Sequence, residues 1–285
     1  MGQDAPQDIT KKRVLYELPG TNAVTVRHDV EFRASDGGTL GMDLYYPSDA
    51  KPGARIPAVV IVAGFPDVGY HKMLGCRFKE MAFCVSWARL LAASGLAAIA
   101  YTNREPAADL HALFADVHQH AASLGIDETR MGLWASSGNV PLALSALMQN
   151  AGGHLKCAAL YYGYMLDLGG STVVAEASAQ WGFINPCKGK SVADLPQTAL
   201  FIARAGRDQF AHLNDALDRF VAAALVRNLP MTLVNHADAP HAFELDHDSD
   251  TTREIVKGTL AFLRLHLLGT SAVNRPGAGS TRRGI

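Results

Sequence analysis

The stretch Gly132-Leu133-Trp134-Ala135-Ser136-Ser137-Gly138-Asn139 carries the chain from a strand pattern into a helical one with two serines and a glycine between. Met131 to Ala135 is an apolar run of strand length, and Asn139 to Met148 is apolar at helical spacing. Pro141 falls in the first turn of that helix, where its missing N–H costs little. Upstream, the pattern predicts helices over Val85–Ala93 and Ala107–Leu124 and strands over Ala58–Ala63 and Leu96–Tyr101. Downstream, it predicts strands over Ala158–Tyr162, Thr198–Ala203 and Met231–Asn235, and helices over Asn214–Val226 and Thr252–Leu268. The Ala58–Ala63 run is continuously apolar, as a strand buried on both faces must be. At the front, Val24–Arg33 and Thr39–Tyr46 flank the turn residues Asp36-Gly37-Gly38, an antiparallel hairpin signal. Strands alternating with helices predict an α/β fold: a mostly parallel central sheet with that hairpin at its N-terminal end and helices on both faces.

Three segments stand outside the alternation. Residues 1–23 read as an N-terminal arm, 24–268 as one domain, and 269–285, rich in Gly, Ser and Arg, as a disordered tail. Gly169–Leu195 lacks clear periodicity and reads as a short helical excursion over the sheet edge. Asp67–Cys84 reads as a long connection.

Composition limits the function classes. Hydrophobic residues make up 48% of the 285 residues and charged residues 19%, as in a compact globule. With 26 basic and 27 acidic residues, there is no electrostatic reason to expect nucleic acid or an anionic membrane as partner. No apolar stretch is long enough to span a bilayer, and Met1–Lys12 has no apolar signal-peptide core. A cytoplasmic protein, or one whose leader has been removed, is expected, and a homodimer is compatible with the sequence. The four cysteines, Cys76, Cys84, Cys157 and Cys187, form no metal-ligand spacing. They read as reduced thiols, with a Cys76–Cys84 bridge left open. His118 and His120 are two apart on a helix and face different ways, so no metal site is expected.

The strand-to-helix stretch has the layout of a nucleophile elbow, a serine on a sharp turn flanked two residues away by small side chains. Ser137 has Ala135 before it and Asn139 after it; Ser136 would have Trp134 in the crowded position. Ser137 is therefore the candidate nucleophile. The usual pattern, Gly-x-Ser-x-Gly, has lost both glycines here, and Asn at 139 tolerates positive φ better than most residues. A serine-rich helix cap is the alternative reading. With the helix starting at the elbow, the Gly138 N–H is a candidate oxyanion donor. The second donor is expected after Ala58–Ala63, where Gly64 permits a sharp turn and the Phe65 N–H follows; a plain Gly-Phe-Pro turn is the alternative.

An elbow serine needs an acid and then a base at the ends of later strands. Thr198–Ala203 runs into Arg204-Ala205-Gly206-Arg207-Asp208, and Met231–Asn235 leads to Pro240-His241-Ala242-Phe243. Asp208 and His241 are the candidates. Their alternative readings are a helix-capping aspartate and an ordinary loop histidine. His236, close to the strand end, competes with His241; Asp238 and Asp215 compete with Asp208. His241 is preferred because it lies further out on its loop, where a side chain can reach back to Ser137.

With Trp134-Ala135-Ser136-Ser137-Gly138-Asn139, Gly206-Arg207-Asp208 and Pro240-His241-Ala242-Phe243 in place, residues 30–268 resemble the α/β-hydrolase superfamily, and most nearly its dienelactone-hydrolase-like esterases. The resemblance implies the triad Ser137, Asp208 and His241, no cofactor, and a small-molecule ester as substrate. Dienelactone hydrolases usually carry a cysteine nucleophile, and Ser137 in its place points to ordinary carboxylic esters. A thioesterase or peptidase with the same triad, or a silent hydrolase fold that only binds, are the rival readings. The interval Gly163–Gln197 leaves little chain for a large lid, and Asp67–Cys84 carries Lys72, Arg77, Lys79 and Glu80, which suits a wet surface. Short acyl chains are expected on that ground.

Overall fold

The computed structural model describes residues 8–269. The first seven residues of the arm and nearly all of the tail read from the sequence lie outside the described residues.

Eight strands form one sheet: β1 (Thr25–Arg33), β2 (Thr39–Tyr46), β3 (Ile56–Ile61), β4 (Ala97–Tyr101), β5 (Ile126–Ser136), β6 (Leu155–Tyr161), β7 (Ala199–Ala205) and β8 (Met231–His236), in the order β1-β2-β4-β3-β5-β6-β7-β8. The hairpin β1–β2 joins β4 antiparallel, and every later pairing is parallel, so β2 alone runs against the rest. From β3 the chain steps outward to β4 and then returns past β3 to β5. The carboxyl ends of β3 and β5 therefore flank the point where the winding reverses, the place where open α/β sheets bind ligands.

The helices are α1 (Asp67–Leu74), α2 (Ala82–Ala93), α3 (Pro106–Leu124), α4 (Val140–Met148), α5 (Val173–Trp181), α6 (Leu213–Val226), α7 (Phe243–Asp246) and α8 (Asp250–Leu268). Trp134 of β5 faces α2, its ring 4.8 Å from that of Trp87, and the Tyr161 hydroxyl meets Thr259 Oγ1 of α8 at 2.6 Å. Thus α2 and α8 cover one face, while α3 and α4 pack on β5 from the other. Val59, Val60, Ile61, Val62 and Ala63 are fully buried, as expected of a central strand covered on both sides.

Three local expectations are corrected. β5 starts at Ile126, earlier than Met131, because Ile126 and Asp127 pair with Ile56 and Pro57 although Asp127-Glu128-Thr129-Arg130 reads as a polar loop. Asp67–Cys84 contains a helix, α1, closed by Gly75 at φ 75°. Nor is the segment simply wet: Lys79 is buried, its ammonium 2.8 Å from both Asp29 and Asp43 carboxylates, which replace its lost water. The Gly163–Gln197 interval does supply a helix, but α5 packs against α6 rather than on the sheet. Val174 and Ala177 of α5 join Tyr164, Phe183 and Leu213 in a small apolar cluster separate from the main core.

The described part of the arm lies against the body. Val14 is buried, its N–H donates to Ser86 Oγ at 3.0 Å, and the Leu15 N–H donates to the Glu244 carbonyl at 2.7 Å. Cys76 and Cys84 are free thiols, as are Cys157 and Cys187. No helix among the described residues is long and apolar enough to cross a membrane, and no cluster of three or more His, Cys, Asp or Glu among them could hold a metal ion.

Candidate active site

Ser137 stands where β5 ends and the chain turns into α4, and it has φ +53°. A serine in the left-handed region is strained, and such strain persists only where its surroundings enforce it. Ser136, one residue earlier, keeps extended strand geometry with φ −131°. The turn thus lifts Ser137 out of the sheet and leaves Ser136 buried at the strand end. Asn139, for which positive φ was the expected reason, has φ −83°. Its role is different. Asn139 Oδ1 accepts the Gly64 N–H at 2.7 Å and ties the end of β3 to the elbow. A Cβ at position 64 would fall 2.9 Å from Asn139 Cα and 2.9 Å from the Gly138 carbonyl oxygen, so only glycine permits this approach.

That bond decides which amide after β3 is free. The Gly64 N–H is engaged, whereas the next amide, Phe65 N–H, donates no hydrogen bond among the described residues. Phe65 and Gly138 meet across the elbow, the Phe65 ring lying 3.1 Å from where a Cβ on Gly138 would stand.

Asp208 and His241 are brought together by two loops that are zipped along their backbones. The Gly206 N–H donates to the His236 carbonyl at 2.9 Å and the Arg207 N–H to the Ala239 carbonyl at 2.8 Å. A Cβ on Gly206 would lie 2.4 Å from the Ala237 carbonyl oxygen, so this contact also requires glycine. The side chains then form one chain of hydrogen bonds: His241 Nε2 to Ser137 Oγ at 2.9 Å, and His241 Nδ1 to Asp208 Oδ2 at 2.6 Å. The other carboxylate oxygen of Asp208 accepts the Phe210 N–H at 2.9 Å, and the His241 N–H donates to Gln209 Oε1 at 3.1 Å. The Asp208 side chain is wholly buried and that of His241 only 10% exposed. A neutral His241 that donates Nδ1–H to Asp208 can take the Ser137 proton at Nε2, and the buried carboxylate stabilises the imidazolium that results.

The competing residues are employed elsewhere. His236 is buried, with Nε2 3.2 Å from both Ser249 Oγ and Thr252 Oγ1, and its ring stacks on His247 at 5.0 Å. Burial holds its pKa below the usual histidine value. Asp238 pairs with Arg207 at the surface, and Asp215 pairs with His212.

A residue the sequence reading missed lies beneath the site. Glu244, three residues past His241, is fully buried, its Oε1 accepts the Tyr162 hydroxyl at 2.5 Å, and the Trp87 indole of α2 lies beside its carboxyl. Tyr162 has φ +34°, donates its N–H to the Ala203 carbonyl at 2.7 Å, and lays its ring 4.4 Å from the imidazole of His241. Burial pushes the Glu244 carboxyl up to about 7, against the pull of the Tyr162 hydrogen bond. Nothing in the sequence marks Glu244, because its environment is assembled from α2, the β6 end and the arm.

A cavity of about 440 Å³ opens over Ser137 and His241. Tyr70, Met73 and Leu74 of α1 form one wall, Trp181 of α5 and Phe183 another, with Phe65 and Phe210 between. The segment expected to be wet thus turns an apolar face to the cavity.

No family model and no curated protein matches the chain. Solved structures do. A bacterial heroin esterase superposes with a TM-score of 0.64 at 14% identity, covering 89% of this chain and 87% of its own. A thermophilic, thermostable carboxylesterase cloned from a metagenomic library gives 0.61 at 20% identity over 85% and 89%. An esterase of Pyrobaculum calidifontis gives 0.60 at 20% identity over 84% of each chain.

Proposed function

We propose that this chain, an α/β-hydrolase by fold, is a serine hydrolase of carboxylic esters that works through an acyl-enzyme on Ser137. The observation that carries the reading is the assembled chain Ser137 Oγ–His241 Nε2–Asp208, with the serine held at positive φ where β5 turns toward α4. His241 Nε2 takes the Ser137 proton as Oγ bonds to the ester carbonyl carbon. The carbonyl oxygen becomes an oxyanion held by the Gly138 and Phe65 N–H groups, at the N-terminal end of α4. When the tetrahedral intermediate collapses, the bond to the alcohol oxygen breaks and that oxygen takes the proton from His241. Water then adds to the acyl-enzyme by the same steps and the acid leaves.

Esters with a short acyl chain fit the site best, because the cavity of about 440 Å³ must hold both halves of the substrate. Gly206-Arg207-Asp208 and Pro240-His241-Ala242-Phe243 favour the dienelactone-hydrolase-like branch, while Ser137 in place of cysteine favours ordinary esters over dienelactones. A thioester or peptide acyl donor would use the same groups, and hydrolysis rates on matched ester, thioester and amide substrates separate the three.

The decisive experiment compares the two elbow serines on p-nitrophenyl acetate. Ser137→Ala is expected to lose about five to six orders of magnitude in kcat, and Ser136→Ala to keep turning over. A dead Ser136→Ala with an active Ser137→Ala would place the nucleophile one residue earlier.

A further inference from the structure

The triad dictates which wall of the cavity each half of an ester meets. The carbonyl oxygen must point to the Gly138 and Phe65 N–H groups, and the leaving oxygen must lie within reach of His241 Nε2, which protonates it. The alcohol half therefore sits beside His241, and its neighbours there are aromatic. The Phe210 ring centre is 4.6 Å from that of the imidazole, at 74°, and Trp181 meets Phe210 edge-on at 5.7 Å and 86°. Phe210 is fixed by the loop that carries the acid, since its N–H donates to Asp208 Oδ1. Trp181 ends α5 at the mouth and is 47% exposed, so its indole is open to an incoming group.

The rest of the lining offers an alcohol almost nothing polar. Among the described residues, no Lys, Arg, Asp or Glu lines the cavity. Apart from Ser137 and His241, the non-aromatic polar side chains are Ser136 and Asn139. Asn139 Oδ1 is committed to the Gly64 N–H, and Ser136 is buried at the strand end. A charged or polyhydroxylated alcohol would lose its water here without replacement. The volume suits a ring: about 150 Å³ holds a benzene, and about 440 Å³ holds a ring together with a small acyl group. Ring edges and faces presented at the wall favour another aromatic ring over an alkyl group of equal area, through the ring quadrupoles.

We infer that the substrate is an ester whose alcohol half is an uncharged aromatic ring of phenyl or benzyl type, and that Trp181 and Phe210 determine this specificity. The inference rests on the serine-hydrolase reading and deepens it. Its test uses two acetates that share the acyl group and the alkoxide class, benzyl acetate and cyclohexylmethyl acetate. The wild-type chain is expected to prefer the benzyl ester by about two- to tenfold in kcat/KM, and Trp181→Leu and Phe210→Leu to bring the ratio toward one. A second readout does not need turnover. Trp87 and Trp134 are fully buried, so Trp181 is the tryptophan that a ligand can touch. Benzyl alcohol titrated into Ser137→Ala should change the tryptophan emission, and the change should vanish in the Ser137→Ala, Trp181→Phe double variant. A wild-type ratio at or below one, or a ratio unmoved in both leucine variants, overturns the specificity. If neither acetate is cleaved, the acyl-transfer reading itself falls, and the benzyl alcohol titration still decides whether the aromatic site exists.

Discussion

Replacing Glu244 by glutamine tests whether a buried acid under the site makes stability fall with pH. In the unfolded chain this carboxyl has its ordinary value near 4.5, and in the folded protein burial raises it to about 7. The folded state therefore holds its proton more tightly, and protonated Glu244 costs nothing at low pH. As pH rises from about 4.5 to about 7 the unfolded chain ionises first, and stability is lost until the folded carboxyl also ionises. A shift of about two and a half units corresponds to about 3 kcal/mol, complete above pH 7. Glu244→Gln keeps an acceptor for the Tyr162 hydroxyl and cannot ionise, so it is free of this loss. Any cost of placing an amide nitrogen beside the Trp87 indole is about 1–3 kcal/mol and independent of pH. The quantity to measure is the stability difference between variant and wild type, by thermal unfolding at pH 5, 6, 7 and 8. It should move in favour of the variant by about 2–3 kcal/mol across that range, or about 5–10 °C in Tm for a chain of this size. A difference that stays flat from pH 5 to pH 8 would mean that Glu244 titrates alike in both states, and the argument from its burial would fail.

Two further substitutions probe the site's scaffolding. Asn139→Ala removes the acceptor that holds the Gly64 N–H and so loosens the Phe65 N–H beside the elbow; kcat on p-nitrophenyl acetate should fall about 10- to 100-fold with KM little changed, and an unaltered kcat would remove Phe65 from the oxyanion site. His236→Ala should lower Tm through loss of its bonds to Ser249 and Thr252, about 1–3 kcal/mol, while ester hydrolysis persists; an inactive variant with wild-type Tm would make His236 the base.

Periodicity along the chain determined the α/β alternation, the hairpin start and the order of elbow, acid and base, because each depends on residues near in sequence. Val59–Ala63 is apolar since both faces of a central strand are covered, and Ser137 could be chosen over Ser136 because an indole two residues earlier leaves no room. Residues whose meaning depends on distant partners were not legible in this way. α1 was missed because Val68 and Met73 are exposed while Tyr70 and Leu74 turn inward, so its apolar residues form no single buried stripe. Asn139 holds Gly64 across the sheet rather than serving its own φ, and Glu244 looks like any loop acid until α2, Tyr162 and the arm close around it. His241 and His236 are set apart by two loops zipped at Gly206, which bring one imidazole to Ser137 and bury the other against α8. Local pattern follows from which face of an element is buried; a site is made where separate elements meet, and only the tertiary structure brings them together.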